Sequence, residues 1–236
     1  MHTRKPWGRL LAVTATAVSL GALASASLAY AGTPAPVGPQ PAKVTVVGHQ
    51  DAKIPCAKYL EKSHTYRSDP PGKAWSTYRT DKLGRPVRAQ TRIGTVDQEP
   101  KPAGECAATV GAWGGPGYQG VRMLPALFKG SSQRANLLPL TKSVNEMLSE
   151  AAQAANRGCV AAHPEFYRFS HDVTATYKKN SDSVVPTRVT VVFVWQRSPE
   201  TFSGNAFMEL DNKNYTKAEA RKQLQVFTSA LTTCNA

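Results

Sequence analysis

Three segments decide the fold of this chain: GYQGVRMLP at 117–125, NLLP at 136–139 and SVNEMLSEAAQAA at 143–155. The third predicts a helix, because its apolar residues recur at helical spacing. Ser143 and Glu146 have the spacing of a capping box, and Gly158 is a natural C-terminal stop. Residues 94–120 are rich in glycine and proline toward their end and predict a loop.

Upstream of these segments, residues 75–93 have the pattern of a β-hairpin. TYRT at 77–80 leads into DKLG at 81–84, a turn with its glycine last, and residues 87–93 return as the second strand. If the strands alternate, several basic side chains share one face and could follow a phosphate backbone. An ordinary solvated face is the alternative. The basic residues of the hairpin are Arg79, Lys82, Arg85, Arg88 and Arg92.

In this order, the hairpin, the NLLP segment and the asparagine-bearing helix resemble the DNA/RNA non-specific endonucleases, including their toxin-type ββα-metal branch. The resemblance covers about residues 76–145, and the later strands fit in order. It implies a hairpin-helix core that grips one divalent metal, such as Mg²⁺, and hydrolyses nucleic acid. In that chemistry a neutral histidine takes a proton from water, and the metal stabilises the charge that develops on the phosphate.

The resemblance also implies site residues. It places Asn145 at the metal-binding position, Tyr118 where the family has an aspartate, and Arg122 where the family has its catalytic histidine. Arginine does not deprotonate in proteins and cannot act as a general base, although it can bind phosphate bidentately. The helix carries Ser149 and Ala152 where a second metal carboxylate would stand. The active-site motif is therefore degenerate, and we expect family catalysis to be lost or impaired.

Each of these residues also has a purely structural interpretation. Arg122 could be an ordinary ion-pair partner, Asn145 a polar residue near a helix N-terminus, and Asn136 a partner for backbone groups near its turn. The histidines outside the first 31 residues are expected to be surface or hydrogen-bonded groups. Adjacent residues of a strand point to opposite faces, so His171 and Asp172 should not act together. These histidines are His49, His64, His163 and His171.

The remaining elements predict a single α+β domain over residues 44–236, with an antiparallel sheet and a C-terminal helix. A short strand is expected at 43–47. An alternating strand should follow at 172–178, a nearly continuous apolar and interior strand at 188–195, and another at 206–210. Residues 217–231 predict the closing helix, apolar at Leu224, Phe227 and Leu231.

The N-terminal residues predict export. Residues 1–31 read as a signal peptide, with basic residues Arg4, Lys5 and Arg9, an apolar stretch and a cleavage site near Ala31. An uncleaved anchor helix is the alternative. Residues 32–43 form a proline-rich linker. No later apolar run approaches membrane length, so we expect a secreted protein without a membrane segment after signal removal.

Four cysteines lie beyond the signal, which in an oxidising compartment predicts two disulfides. Three pairings are possible, and we favour Cys106 with Cys159 and Cys56 with Cys234. None of the four belongs to a C-x-x-C pair or to a histidine-containing zinc pattern.

The charge favours a polyanionic partner. The chain carries a net charge of +13, and removal of the three basic signal residues leaves 13 − 3 = +10. Nucleic-acid binding by a nuclease fold with impaired catalysis is the leading hypothesis. The alternatives are an active metal-dependent DNA/RNA endonuclease with a rearranged site, and a non-enzymatic module that binds the cell wall or a protein partner.

Overall fold

The computed structural model describes residues 44–47, 54–68, 75–94 and 104–234, with only the backbone of 44–47. The predicted signal peptide, the linker, His49 and the loop at 69–72 lie outside these residues. In chain order the elements are β1 (Val44–Val47), β2 (Thr65–Ser68), β3 (Ser76–Thr80), β4 (Pro86–Ile93), α1 (Cys106–Ala112), β5 (Tyr118–Arg122), β6 (Leu137–Thr141), α2 (Lys142–Ala155), β7 (Arg168–Thr176), β8 (Arg188–Gln196), β9 (Gly204–Asp211) and α3 (Lys217–Leu231).

Seven strands form one sheet in the order β1-β2-β3-β4-β7-β8-β9, and β5 and β6 form a separate two-stranded ribbon. Neighbours are antiparallel except β1 and β2, which pair in parallel. This mixture of helices and a largely antiparallel sheet confirms the predicted α+β class. Among the residues described, no helix is both long and apolar enough to cross a bilayer.

The predicted hairpin is present as β3 and β4, with Tyr78 opposite Ala89. Its turn depends on Gly84, which has a φ of +85°, in the left-handed region that glycine tolerates best. A Cβ atom there would also lie 2.1 Å from the carbonyl oxygen of Leu60. The turn therefore needs glycine for both its conformation and its close approach to the preceding segment.

One face of the large sheet is buried because its strands alternate. On β8, Val189, Val191, Phe193 and Trp195 are all fully buried. Helices α2 and α3 pack against each other, and α3 also packs on β9. The core therefore lies between the sheet and these helices, and it includes the apolar side chains Val121, Leu138 and Leu140 of the ribbon.

The ribbon has a second buried face. Leu137 of β6 packs with Cys106 and Val110 of α1 and with the nearby Trp113. Gly111 and Gly120 allow this close packing: a Cβ on Gly120 would lie 2.1 Å from the carbonyl oxygen of Ala107. The expectation of a loop over 94–120 is therefore wrong at Cys106–Ala112 and at the start of β5. Strand β2 was likewise not predicted.

Helix α2 differs from its prediction at both ends. It begins at Lys142 after Thr141, whose side chain makes no capping hydrogen bond. The Ser143 hydroxyl instead donates to the carbonyl of Lys213 and accepts from the amide of Tyr215, so the predicted capping box is wrong. A π-helical turn, Asn156–Val160, follows the helix, so Gly158 does not stop it.

Helix α3 confirms its prediction and carries the capping box of this fold. The Thr216 hydroxyl accepts from the Glu219 amide, and the Glu219 carboxylate accepts from the Thr216 amide. Leu224, Phe227 and Leu231 are its buried residues. Its long polar face explains why the helical period was readable from the sequence.

Two disulfides are present, but the favoured pairing is wrong. Cys56 pairs with Cys106, and Cys159 pairs with Cys234. Packing explains the difference. Helix α1 lies on the ribbon, and Arg134, which donates to the ribbon carbonyl of Leu137, also donates to the carbonyls of Ala57 and Lys58 beside Cys56. The packing of α3 on α2 brings the last cysteine to the end of α2.

Candidate functional site

The regular pairing of β5 with β6 places successive residues of β5 on opposite faces of the ribbon. The side chains of Tyr118 and Arg122 lie on the face of β5 that packs toward α1. Gly120 on this face contacts α1, and Arg122 pairs with Leu137, which packs on α1. Gln119 and Val121 lie on the opposite face of β5, toward the main core. Tyr118 and Arg122 therefore share a face of β5, which is not the face of Gln119.

Asn145 of α2 contacts Gln119. The Asn145 Nδ2 donates to the Gln119 Oε1 at 2.9 Å. Tyr118, the residue aligned with the family's aspartate, instead packs on Gly114, where a Cβ would lie 2.3 Å from its ring. Gln119, which the sequence did not single out, is thus the residue of β5 that contacts Asn145. The sequence carries no signal for this contact, because it depends on which face of β5 packs on α1.

Arg122 ends β5 and is partly buried. Burial lowers the pKa of its guanidinium, and the neighbouring phenol of Tyr78 acts in the opposite direction. The ordinary pKa of arginine is so high that the group keeps its charge near neutral pH. The side chain is therefore a cation at this position and not a proton acceptor.

Asn136 has the structural role that its turn position suggested. Its Oδ1 accepts from the amide of Leu124 at 2.8 Å. Its Nδ2 donates to the carbonyls of Leu124 and Ser131 at 2.9 and 2.7 Å. Asn136 is fully buried, so these bonds satisfy its amide and hold the loop between β5 and β6.

The hairpin arginines largely follow the predicted alternation. Arg79 lies directly opposite Arg88, and Arg88 and Arg92 are four residues apart on β4, so these three share a face. Arg88 is neutralised by Asp172 of β7, to which it donates from both Nε and Nη2. This hydrogen-bonded pairing raises the pKa of Arg88. Arg79 and Lys82 are exposed.

Arg85 does not belong to that surface. It is only 7% exposed, its Nε donates to Asp81 at 2.7 Å, and its Nη1 donates to the carbonyls of Ser181 and Ser183. Its guanidinium also lies 4.1 Å from the ring centre of Tyr177. This interior position argues against the nucleic-acid role that the sequence suggested for Arg85. The residue joins the hairpin turn to the loop before β8.

The described histidines lie outside the β5–α2 region. His64 is buried beside β2, with its Nδ1 3.2 Å from Glu61. His163 follows α2 and contacts Glu165 at 3.0 Å. His171 is buried in the core, 5.3 Å from the ring centre of Phe128, and burial lowers its pKa to about 4. Asp172 points away from it toward Arg88, as alternation required.

A β-hairpin, a short ribbon and a following helix that carries an asparagine stand in the order that the resemblance to nucleases implies. The sequence matches the family described as DNA/RNA non-specific endonuclease over residues 62–196, more than half of its length. The chain belongs to that family.

Two solved structures are similar to the chain. One is titled "extracellular nuclease", with 15% identity and a TM-score of 0.37, covering 57% of this chain and 81% of that one. The other is titled "extracellular endonuclease", with 14% identity and a TM-score of 0.43, covering 71% of this chain and 89% of that one. A search of curated proteins finds no match.

The family is generally metal-dependent, so the donors around Asn145 must be compared with what a divalent ion requires. Asn145 and Gln119 offer neutral amide groups that already bond to each other. Within the described ranges, no group of three or more His, Cys, Asp or Glu side chains could hold a metal ion. Mg²⁺ is usually held by at least one carboxylate. The hydrogen bond to Gln119 uses the Asn145 Nδ2 and leaves its Oδ1, the atom that a metal would bind, so Asn145 stays a prediction as the ligand of the family's metal.

Proposed function

We propose that this protein is a secreted member of the endonuclease family that binds nucleic acid and lacks the family's hydrolysis. The observation that carries the proposal is Arg122 on β5, at the position that the sequence resemblance assigns to the catalytic histidine. A permanent cation there can bind a phosphate but cannot take a proton from water. The contact of Asn145 with the neutral amide of Gln119, rather than with a carboxylate, supports the same conclusion, because Mg²⁺ is usually held by at least one carboxylate.

The basic surface supplies the binding energy in this proposal. Arg79 and Lys82 are exposed at the end of the hairpin, and Arg92 lies on the same face as Arg79, with its guanidinium 5.6 Å from the ring centre of Tyr167. Contacts of this kind attract phosphates regardless of base sequence and release counterions on binding. We therefore expect affinity without marked sequence preference and with strong dependence on salt.

Export rests on the cysteines together with the predicted signal peptide. Both disulfides join cysteines that are distant in sequence, and such bonds persist in oxidising compartments. Extracellular or wall-associated nucleic acid is then the polyanion that the surface would meet.

Catalysis is tested by incubating the purified protein with plasmid DNA and with RNA, in Mg²⁺ or Mn²⁺ and with EDTA as control. We expect no cleavage above the EDTA background. Metal-dependent cleavage that Asn145→Ala abolishes would overturn the proposal in favour of an active enzyme with a rearranged site. Arg122→His tests the missing base directly, because it restores the residue type that the family uses.

Binding is tested by fluorescence anisotropy with a labelled duplex over a range of salt concentrations. The double variant Arg79→Gln/Lys82→Gln should bind more weakly, and its log–log salt slope should fall by about two, since each phosphate contact contributes about 0.9. The matched control is Arg221→Gln/Lys222→Gln, which removes two exposed charges from α3. The proposal fails if the protein does not bind at low salt, or if both double variants behave alike.

A further inference from the structure

A cleft of about 430 Å³ opens where the first residue of β5 meets the loops that precede β8 and follow β9. Tyr118 lies on one side, and the loop at 177–187 forms much of the other. This volume is within the range of small-molecule sites. The cleft contains neither Arg122 nor Asn145, and Tyr118 is the residue that it shares with the degenerate motif.

The walls of this cleft, which we call the Tyr118 cleft, are held by hydrogen bonds. Asn212 donates to the carbonyls of Pro139 and Pro186 and accepts from the amide of Thr141, which ties the loop after β9 to both neighbours. The buried Arg85 donates hydrogen bonds from its Nη1 to the carbonyls of Ser181 and Ser183. A site held in this way binds with little loss of conformational freedom.

The chemistry of the lining combines an aromatic ring with cations and hydroxyl groups. Lys178 and Lys213 are exposed at the cleft, and Ser181, Ser183 and Thr187 add hydroxyls. The one acidic residue of the lining is Asp211. Its carboxylate lies 2.9 Å from the Nε of Arg188 in an exposed pair, and the two lysines of the lining outnumber this one acidic group.

Lys213 also has an acidic neighbour, Glu219, with the Nζ and Oε1 atoms 3.5 Å apart. Both side chains are about half exposed, and exposed pairs of this kind are weak. Lys213 therefore remains available to a phosphate. The excess of positive charge at the Tyr118 cleft thus favours an anionic ligand with a flat ring system.

We infer that the Tyr118 cleft binds one unpaired nucleotide of a single-stranded nucleic acid, with the base against Tyr118 and a phosphate between Lys178 and Lys213. The inference rests on the proposed nucleic-acid binding and adds a preference for single strands. Aromatic side chains bind bases of any sequence by stacking, and lysines follow the backbone charge. A base-paired nucleotide cannot present its face to the ring in this way.

The test uses anisotropy with a labelled oligothymidylate and a duplex of the same length. Tyr118→Ala should weaken single-strand binding about tenfold, as expected for the loss of one stacked base, and should change duplex binding much less. Tyr118→Phe keeps the ring and should retain wild-type affinity. Lys178→Gln should lower the salt slope for the single strand by about 0.7, the value for one phosphate contact.

The outcomes separate the two proposals. If the wild-type protein binds neither probe, both fail. If it binds but Tyr118→Ala has wild-type affinity for the single strand, the cleft inference fails and the proposed function stands. Loss of binding in Lys178→Gln with no change in Tyr118→Ala also overturns the inference, because the cleft then binds a phosphate alone.

Photo-crosslinking decides the matter if Tyr118→Ala does not fold. An iodouridine-substituted oligonucleotide should crosslink to the tryptic peptide that ends at Arg122 in the wild-type protein. Crosslinks confined to the hairpin peptides would overturn the inference.

Discussion

Acidification from about pH 7 to about pH 5 should destabilise this protein through His171. The imidazole lies on β7 between the cross-strand neighbours Thr91 and Phe193, with Phe128 against it, and its Nδ1 has no hydrogen-bond partner within the described residues. Burial lowers the pKa of His171 from 6.5 to about 4. The charged form is therefore excluded from the core but accessible in the unfolded chain.

The sign and size of this pH effect on stability follow from proton linkage. Above about pH 7 the imidazole is neutral in both states and costs nothing. As the pH falls below 6.5, only the unfolded chain binds the proton, so stability is lost until the folded group titrates near pH 4. Integration between these pKa values gives a loss of about 2 kcal/mol at about pH 5 and about 3 kcal/mol at full protonation.

The assay is urea unfolding at several pH values, followed by tryptophan fluorescence, to which the buried Trp195 contributes. Other groups titrate in the same range, so the informative quantity is the difference between the wild type and His171→Phe, which keeps an aromatic ring in an aromatic site. His163→Gln is the matched control, because His163 is only half-buried and contacts the exposed Glu165. An equal pH dependence of the unfolding free energy in wild type and His171→Phe would refute the reasoning.

Three further stability predictions use the same urea assay. Gly84→Ala should lower the free energy of unfolding by about 2 kcal/mol or more, because it adds a backbone clash to a positive φ. Gly115→Ala has nearly the same φ but open space around it, and should lower this free energy by only about 1–2 kcal/mol. Equal losses in the two variants would contradict the clash. Arg134→Met should cost at least about 3 kcal/mol, since it strips three backbone carbonyls of their donor; a neutral result would contradict this. Cys159→Ser/Cys234→Ser should cost about 4 kcal/mol for the loss of a 75-residue crosslink, and an unchanged stability would show that the bridge does not constrain the unfolded chain.

Elements whose signal is local were predictable. The nearly continuous apolar run of β8 and the helical spacing of the apolar residues of α3 are both visible in the sequence. Helix α1 was not predictable, because its seven residues show no clear apolar period. It is held by the Cys56–Cys106 bridge and by the close approach of Gly111 to Gly120, where a Cβ on Gly111 would lie 2.9 Å from the Gly120 nitrogen.

The candidate site also has some features that the sequence shows and others that only the packing shows. That Arg122 stands where the resemblance expects a histidine is a prediction from the residues themselves. That Gln119 meets Asn145, and Tyr118 does not, depends on which face of β5 packs on α1. The role of Arg85 was equally hidden, because its partners at Ser181 and Ser183 are nearly a hundred residues away.

By itself, the sequence determined the family resemblance, the hairpin, the later strands, the C-terminal helix and the residue types at the predicted site. These features depend on local side-chain chemistry and on periodicity over a few residues. Only the tertiary structure decided the disulfide pairing, the burial of Arg85 and the cleft beside Tyr118. Each of these depends on contacts between segments distant in the chain, and such contacts form only when the helices and the ribbon pack on the sheet.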